Sequence, residues 1–104
     1  MTQGDVYFYK FNLPNKKRPV LILTRNDAIE KLNAVTIAEI TTTIRGNDSE
    51  VLLDESDGMF EDCAINLTNI QTVQKGNIGA YITHLTPLKM AEVFEAIKFV
   101  FKMD

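Results

Sequence analysis

The run Val35–Arg45 (VTIAEITTTIR) limits the fold more than any other segment. It is rich in β-branched residues, whose stiff side chains favour extended backbone. Successive side chains of a strand point to opposite faces, so a half-buried strand alternates with a period of two. Val35 and Ile37 share one phase, whereas Ile40 and Ile44 share the other. The alternation therefore slips near Glu39. An extra residue at a β-bulge produces such a slip and bends the strand. Beyond it, Ile40, Thr42 and Ile44 are expected on one side. Thr41, Thr43 and Arg45 are expected on the other, where they make a face of two hydroxyls and a guanidinium.

The rest of the chain reads as further short strands and two helices. Val6–Phe11 is aromatic and β-branched, and Leu13–Lys17 is a loop built on Pro14 and Asn15. Val20–Leu23 is a continuous apolar run, as in a strand buried on both faces. Asp27 with Glu30 resembles a capping box that opens a short helix through about Leu32. Glu50–Leu53, Ala64–Val73 and Ala80–Leu85 read as strands, with a turn at Gly58. In Ala64–Val73, Ile65 and Leu67 face one side while Asn66 and Thr68 face the other. Thr86 suits an N-cap and Pro87 a first helical turn. Met90, Val93, Phe94, Ile97, Val100 and Phe101 then recur at helical spacing until about Lys102, leaving Phe99 on the polar side. The expected fold is mainly β: a small, bent antiparallel barrel with a short helix and a C-terminal amphipathic helix.

A chain of 104 residues fits one domain, residues 1–104. No apolar run reaches the roughly 18 residues that a membrane helix needs. The polar start, Met1–Asp5, leads straight into a strand pattern, so no secretion signal is expected. A lone cysteine, Cys63, fits a reducing cytoplasm, and the sequons at Asn47 and Asn66 then read as accidental. One histidine and one cysteine cannot build a Cys/His metal cluster. His84, at a strand end, reads as structural. Nucleotide-binding glycine motifs are absent, and the acidic run lacks the EF-hand spacing. Neither metal nor cofactor is expected.

The net charge of −3 hides two opposed regions. Lys10, Lys16, Lys17, Arg18 and Arg25 form a stretch without an acid, while Gly46–Asp62 holds seven acids and no base. A local positive field attracts phosphates even on an acidic protein. On charge alone, the two regions read as solvated loops.

Two segments carry a family resemblance. One is Gly4-Asp5-Val6-Tyr7 followed by Arg18-Pro19-Val20-Leu21-Ile22-Leu23-Thr24-Arg25; the other is Val35–Arg45. Ser49–Leu53, Gln71-Thr72-Val73 and Leu85-Thr86-Pro87 follow in matching order. In this order and spacing the chain resembles the MazF/PemK toxins over essentially its whole length. The resemblance implies an SH3-like barrel and a homodimer. It implies metal-independent cleavage of single-stranded RNA at short motifs, with the 2′-hydroxyl as nucleophile. It also implies a cognate antitoxin as partner.

The resemblance places the catalytic pair at Arg18 and Thr41. Arg18 precedes Pro19, which biases it towards extended backbone. A guanidinium binds two phosphate oxygens at once, and a fixed cation lowers the barrier as charge grows on them. The base that takes the 2′-proton stays unassigned. Lys16, Lys17, Arg25, Thr43, Arg45, Asn66, Thr68 and Asn69 are the candidate RNA-binding residues. The chain departs from the PemK branch, whose catalytic Arg and Asp fall here on Asn66 and Thr68, and its first loop is short. Two other readings compete. One is a gyrase poison like CcdB, which the missing tryptophan disfavours. The other is a non-catalytic RNA-binding barrel.

Overall fold

The computed structural model describes residues 1–11 and 17–103. Among these residues, six strands form one antiparallel sheet: β1 (Asp5–Lys10), β2 (Lys17–Ile22), β3 (Ala34–Thr41), β4 (Glu50–Leu53), β5 (Cys63–Gln74) and β6 (Ile78–His84). The order across it is β4-β5-β3-β2-β1-β6. A one-turn helix, α1 (Asn26–Ile29), joins β2 to β3, and α2 (Pro87–Phe101) closes the chain. Among the described residues, no helix is long and apolar enough to cross a membrane.

The sheet has two apolar faces. Val6, Leu21, Ile40, Ile65 and Leu67 pack on one side with Met90, Val93 and Ala96 of α2. Val20, Ile22, Val35, Ile37 and Val73 pack on the other with Ile29 of α1. Val20, Leu21 and Ile22 are all fully buried, as the apolar run in β2 leads one to expect. The β3–β5 register shifts between Ala38, which pairs with Ile70, and Glu39, which pairs with Asn66, so the extra residues lie in β5. Strand β3 itself alternates regularly, with Val35 and Ile37 facing one core and Ala38 and Ile40 the other, and the expected slip of its phase is not found.

The outer strands are β4 and β6, and one hydrogen bond links β6 to the turn after β4. Thr83 of β6 donates its hydroxyl to the carbonyl of Asp57, just past β4, at 3.0 Å. Gly58 stands beside it with φ of 93°, and a Cβ there would clash with Thr83. Only glycine meets both demands.

Three further expectations are corrected. The short helix stops at Ile29, and Arg25 precedes it without a side-chain cap. Asp27 lies inside the first turn and pairs with Arg25 Nε at 2.9 Å, so it forms no capping box with Glu30. Leu32 is half exposed and anchors nothing. Strand β3 ends at Thr41, not Arg45. The Thr43 N–H donates to Thr41 Oγ1 at 3.1 Å, and the Arg45 and Gly46 N–H groups donate to the Glu50 carboxylate. Side chains thus take the donors that a ladder would use, and Ile44 stays exposed. On α2, Phe94 and Phe101 are exposed, while small Ala96 is buried against the sheet. Thr86 does cap this helix, accepting from the Lys89 N–H at 3.2 Å.

The N-terminal turn is tied to β6 by a buried carboxylate. Asp5 accepts from the Thr2 N–H at 2.8 Å and from the Tyr7 hydroxyl at 3.2 Å, and lies 2.8 Å from His84 Nδ1. Burial pushes its pKa up, but the hydrogen bonds from Thr2, His84 and Tyr7 outweigh that and leave it below the ordinary value. A lowered folded pKa stabilises the fold above the unfolded value, and the gain is lost as pH falls through the folded one. Asp5→Ala is therefore expected to destabilise by about 1–3 kcal/mol at neutral pH. The gap from wild type should shrink below about pH 3.9, the unfolded carboxylate value. Urea melts across pH check both points, and a gap that persists unchanged into strong acid contradicts the linkage.

Candidate active site

Strands β2 and β3 build the polar site by their register. Val20 opposes Glu39, Leu21 opposes Ala38 and Ile22 opposes Ile37. Continued two residues further, the same register sets Arg18 opposite Thr41. Arg18, Val20 and Ile22 share a phase, as do Thr41, Glu39 and Ile37. The buried members of both sets belong to the α1-side core. The site is thus the polar end of a stripe whose other end is anchored in apolar packing.

Arg18 Nη1 lies 3.4 Å from Glu39 Oε1. The guanidinium side chain is 41% exposed and the carboxylate side chain only 14%, so Glu39 holds Arg18 from below while the cation faces solvent. The Thr41 oxygen accepts from the Thr43 N–H, which leaves its own proton to donate. Arg18, Glu39, Thr41, Thr43, Arg45, Asn66 and Asn69 line one small depression. In Asn66, Oδ1 accepts both the Thr68 N–H at 3.1 Å and the Thr68 hydroxyl at 2.6 Å. Its amide nitrogen is thereby left as a donor towards the depression.

Arg18, Thr41 and Thr43 also border a second cleft of about 440 Å³, together with Lys17, Phe8 and Phe60. Cys63 reaches this cleft as well. Burial, followed by the charges of Glu61, Asp57, Asp62 and Asp54, pushes its thiol up to about 11. It stays protonated at neutral pH and is no nucleophile.

Most of the sequence candidates are therefore brought together: Arg18, Thr41, Lys17, Thr43, Arg45, Asn66 and Asn69. Arg25 is not. It stands beyond the other end of β2, paired with Asp27 and largely exposed. Thr68 lines neither depression, and its part is to orient Asn66. Lys16 lies outside the described residues. Glu39, Phe8 and Phe60 were missed. The signal available for the first was its phase: Glu39 stands two residues from Thr41 on one strand and so shares its face. The two phenylalanines meet only through the fold.

Fold and site define a class: small, mainly β proteins that offer a guanidinium, hydroxyls and amides to an anion from a cleft beside the sheet. Residues 2–101 match the family model described as PemK-like, MazF-like toxin of type II toxin-antitoxin system. The chain belongs to this family. It is 38% identical over 90 residues to the endoribonuclease MazF3 of Mycobacterium tuberculosis, covering 86% of this chain and 87% of that one. It superposes on the M. tuberculosis toxin MazF-mt6 with a TM-score of 0.88 at 34% identity, covering 96% and 98% of the two chains. A mycobacterial endoribonuclease solved with its cognate antitoxin gives a TM-score of 0.89 at 26% identity, over 100% of this chain and 97% of that one.

Proposed function

We propose that this chain is a toxin endoribonuclease that cuts single-stranded RNA at short sequences, without a metal, in the depression shared by Arg18, Thr41 and Glu39. The observation that carries the reading is the guanidinium of Arg18, seated on Glu39 and exposed beside Thr41. A non-bridging phosphate oxygen fits between that guanidinium and the Thr41 hydroxyl. Glu39 is the carboxylate that lines this depression, and it takes the proton of the RNA 2′-hydroxyl. The 2′-oxygen bonds to phosphorus, the bond from phosphorus to the 5′-oxygen breaks, the leaving oxygen takes a proton from water, and the hydroxide so formed takes up the proton held by Glu39, which restores both. The products are a 2′,3′-cyclic phosphate and a 5′-hydroxyl. Arg18 supplies the positive charge at the phosphate, as a preplaced donor that needs no reorganisation during the reaction.

Lys17, Thr43, Arg45, Asn66 and Asn69 bind the RNA around the cut. Asn66 and Asn69 are suited to base edges, which single strands expose. Residues 1–104 act as one toxin domain. We read the sheet as an SH3-like barrel, a reading supported by the hydrogen bond from Thr83 of β6 to Asp57 in the turn after β4. We infer further that the toxin works in the cytoplasm as a homodimer and that, like the mycobacterial endoribonuclease solved with its cognate antitoxin, it has an antitoxin partner. Membership of the toxin family favours cleavage over a non-catalytic RNA-binding barrel or a gyrase poison.

The purified protein is expected to cut single-stranded RNA in EDTA. An oligonucleotide with a 2′-deoxy residue at the mapped cut site should bind and resist. Cutting of that oligonucleotide contradicts the cyclic-phosphate route, and activity that disappears with EDTA and returns with a divalent metal contradicts metal independence.

A further inference from the structure

The second cleft carries an aromatic arrangement for which the cleavage step has no use. Phe60, between β4 and β5, is 70% exposed. Phe8 of β1 lies nearly parallel to it, with centroids 6.1 Å apart and planes 10° apart. Lys17 Nζ sits 4.8 Å from the centre of the Phe8 ring. These groups line the same cleft as Arg18 and Thr41, and its volume of about 440 Å³ falls within the range of small-ligand sites.

The chemistry of this lining selects its occupant. An exposed ring face takes any flat π-system, and a nucleobase is flat and apolar on its faces and polar at its rim. Lys17 and Arg18 supply positive charge to the phosphates that accompany a base. Thr42 and Thr43 supply hydroxyls to its rim. An apolar peptide side chain would gain from Phe60 but would bring no anion to Lys17 or to Arg18, whose counter-charge in the free protein is Glu39; Glu61 also lines the cleft.

We infer that Phe60 and Phe8 form a base-stacking subsite for the nucleotide next to the scissile phosphate, with Lys17 on that nucleotide's backbone. The inference rests on the reading that Arg18 and Thr41 hold that phosphate. The subsite accepts single strands and excludes duplex, because a paired and stacked base cannot lie on Phe60.

The chain has no tryptophan, so Phe60→Trp introduces a single fluorescent ring at the subsite itself. In EDTA, short single-stranded RNA of mixed sequence should quench its emission, and the same RNA annealed to its complement should not. Phe60→Ala should raise KM for cleavage by about 5- to 150-fold, the range that one base–aromatic stack supports, with the change falling on KM rather than kcat. Removing the base beside the cut should weaken binding to wild type and leave binding to Phe60→Ala unaffected. Emission that ignores RNA, a KM within twofold of wild type, or emission that follows protein concentration alone would overturn the subsite. The last result would place Phe60 between two copies of the chain. Whether wild type cuts RNA at all is read separately, so failure of the cleavage reading is distinguishable from failure of the subsite.

Discussion

Replacing Arg18 with alanine is expected to slow cleavage of single-stranded RNA by roughly 10²- to 10³-fold, the usual loss when one preorganised donor to a developing oxyanion is removed. The loss should fall mainly on kcat. Binding draws on several cations and amides, but charge grows on the phosphate oxygens only as the 2′-oxygen attacks. Arg18→Lys should recover part of the rate. An ammonium keeps the charge but loses the planar fork that spans two oxygens. Stability is the necessary control. The ion pair with Glu39 is partly solvated, and pairs of that kind contribute about 0–1 kcal/mol. Both variants should therefore melt within a few degrees of wild type. A folded Arg18→Ala protein that cuts within tenfold of the wild-type rate would place the catalytic cation elsewhere.

The sequence reports the frame of this site better than its contents. The irregularity near Glu39 was legible in place but not in kind: the apolar residues of β3 change phase there because both of its faces are buried, and the extra residues of the ladder lie in β5. The double burial of β2 was legible because no polar residue interrupts Val20–Leu23. The end of β3 was not. It depends on the Glu50 carboxylate reaching back to the Arg45 and Gly46 N–H groups, and Glu50 itself reads simply as the start of a strand. Charge proximity along the chain misled at Arg25. Strand β2 carries Arg18 and Arg25 to opposite ends, so neighbours in the basic stretch part company in space. Glu39 and Arg18 are 21 positions apart, and only the β2–β3 register joins them. Pairings between strands are the information that a local period lacks, and both Glu39 and the Phe8–Phe60 stack depend on them.

The proposed role of Glu39 as the base makes the site a catalyst rather than a phosphate clamp. A positioned general base contributes about 10²- to 10⁴-fold, so Glu39→Gln is expected to lower kcat by that range while RNA binding persists. Glutamine keeps an oxygen where the Arg18 fork needs one, so a large loss in this variant points to proton transfer rather than to a displaced guanidinium. Chemical rescue separates the two more sharply. Glu39→Ala opens space beside Arg18, and added formate should restore a measurable part of the rate there. Formate should do nothing for Arg18→Ala, where the missing group is a cation. Such a base must come within hydrogen-bond reach of the 2′-hydroxyl. The contact of 3.4 Å between Glu39 and Arg18 gives this room, because a phosphate that draws the guanidinium outward frees the carboxylate oxygen it occupied. In the proposed mechanism, substrate binding arms the base in the same movement that places the cation. If Glu39→Gln cuts at the wild-type rate, or formate leaves Glu39→Ala inert, Glu39 only steadies Arg18 and the 2′-proton leaves by another route.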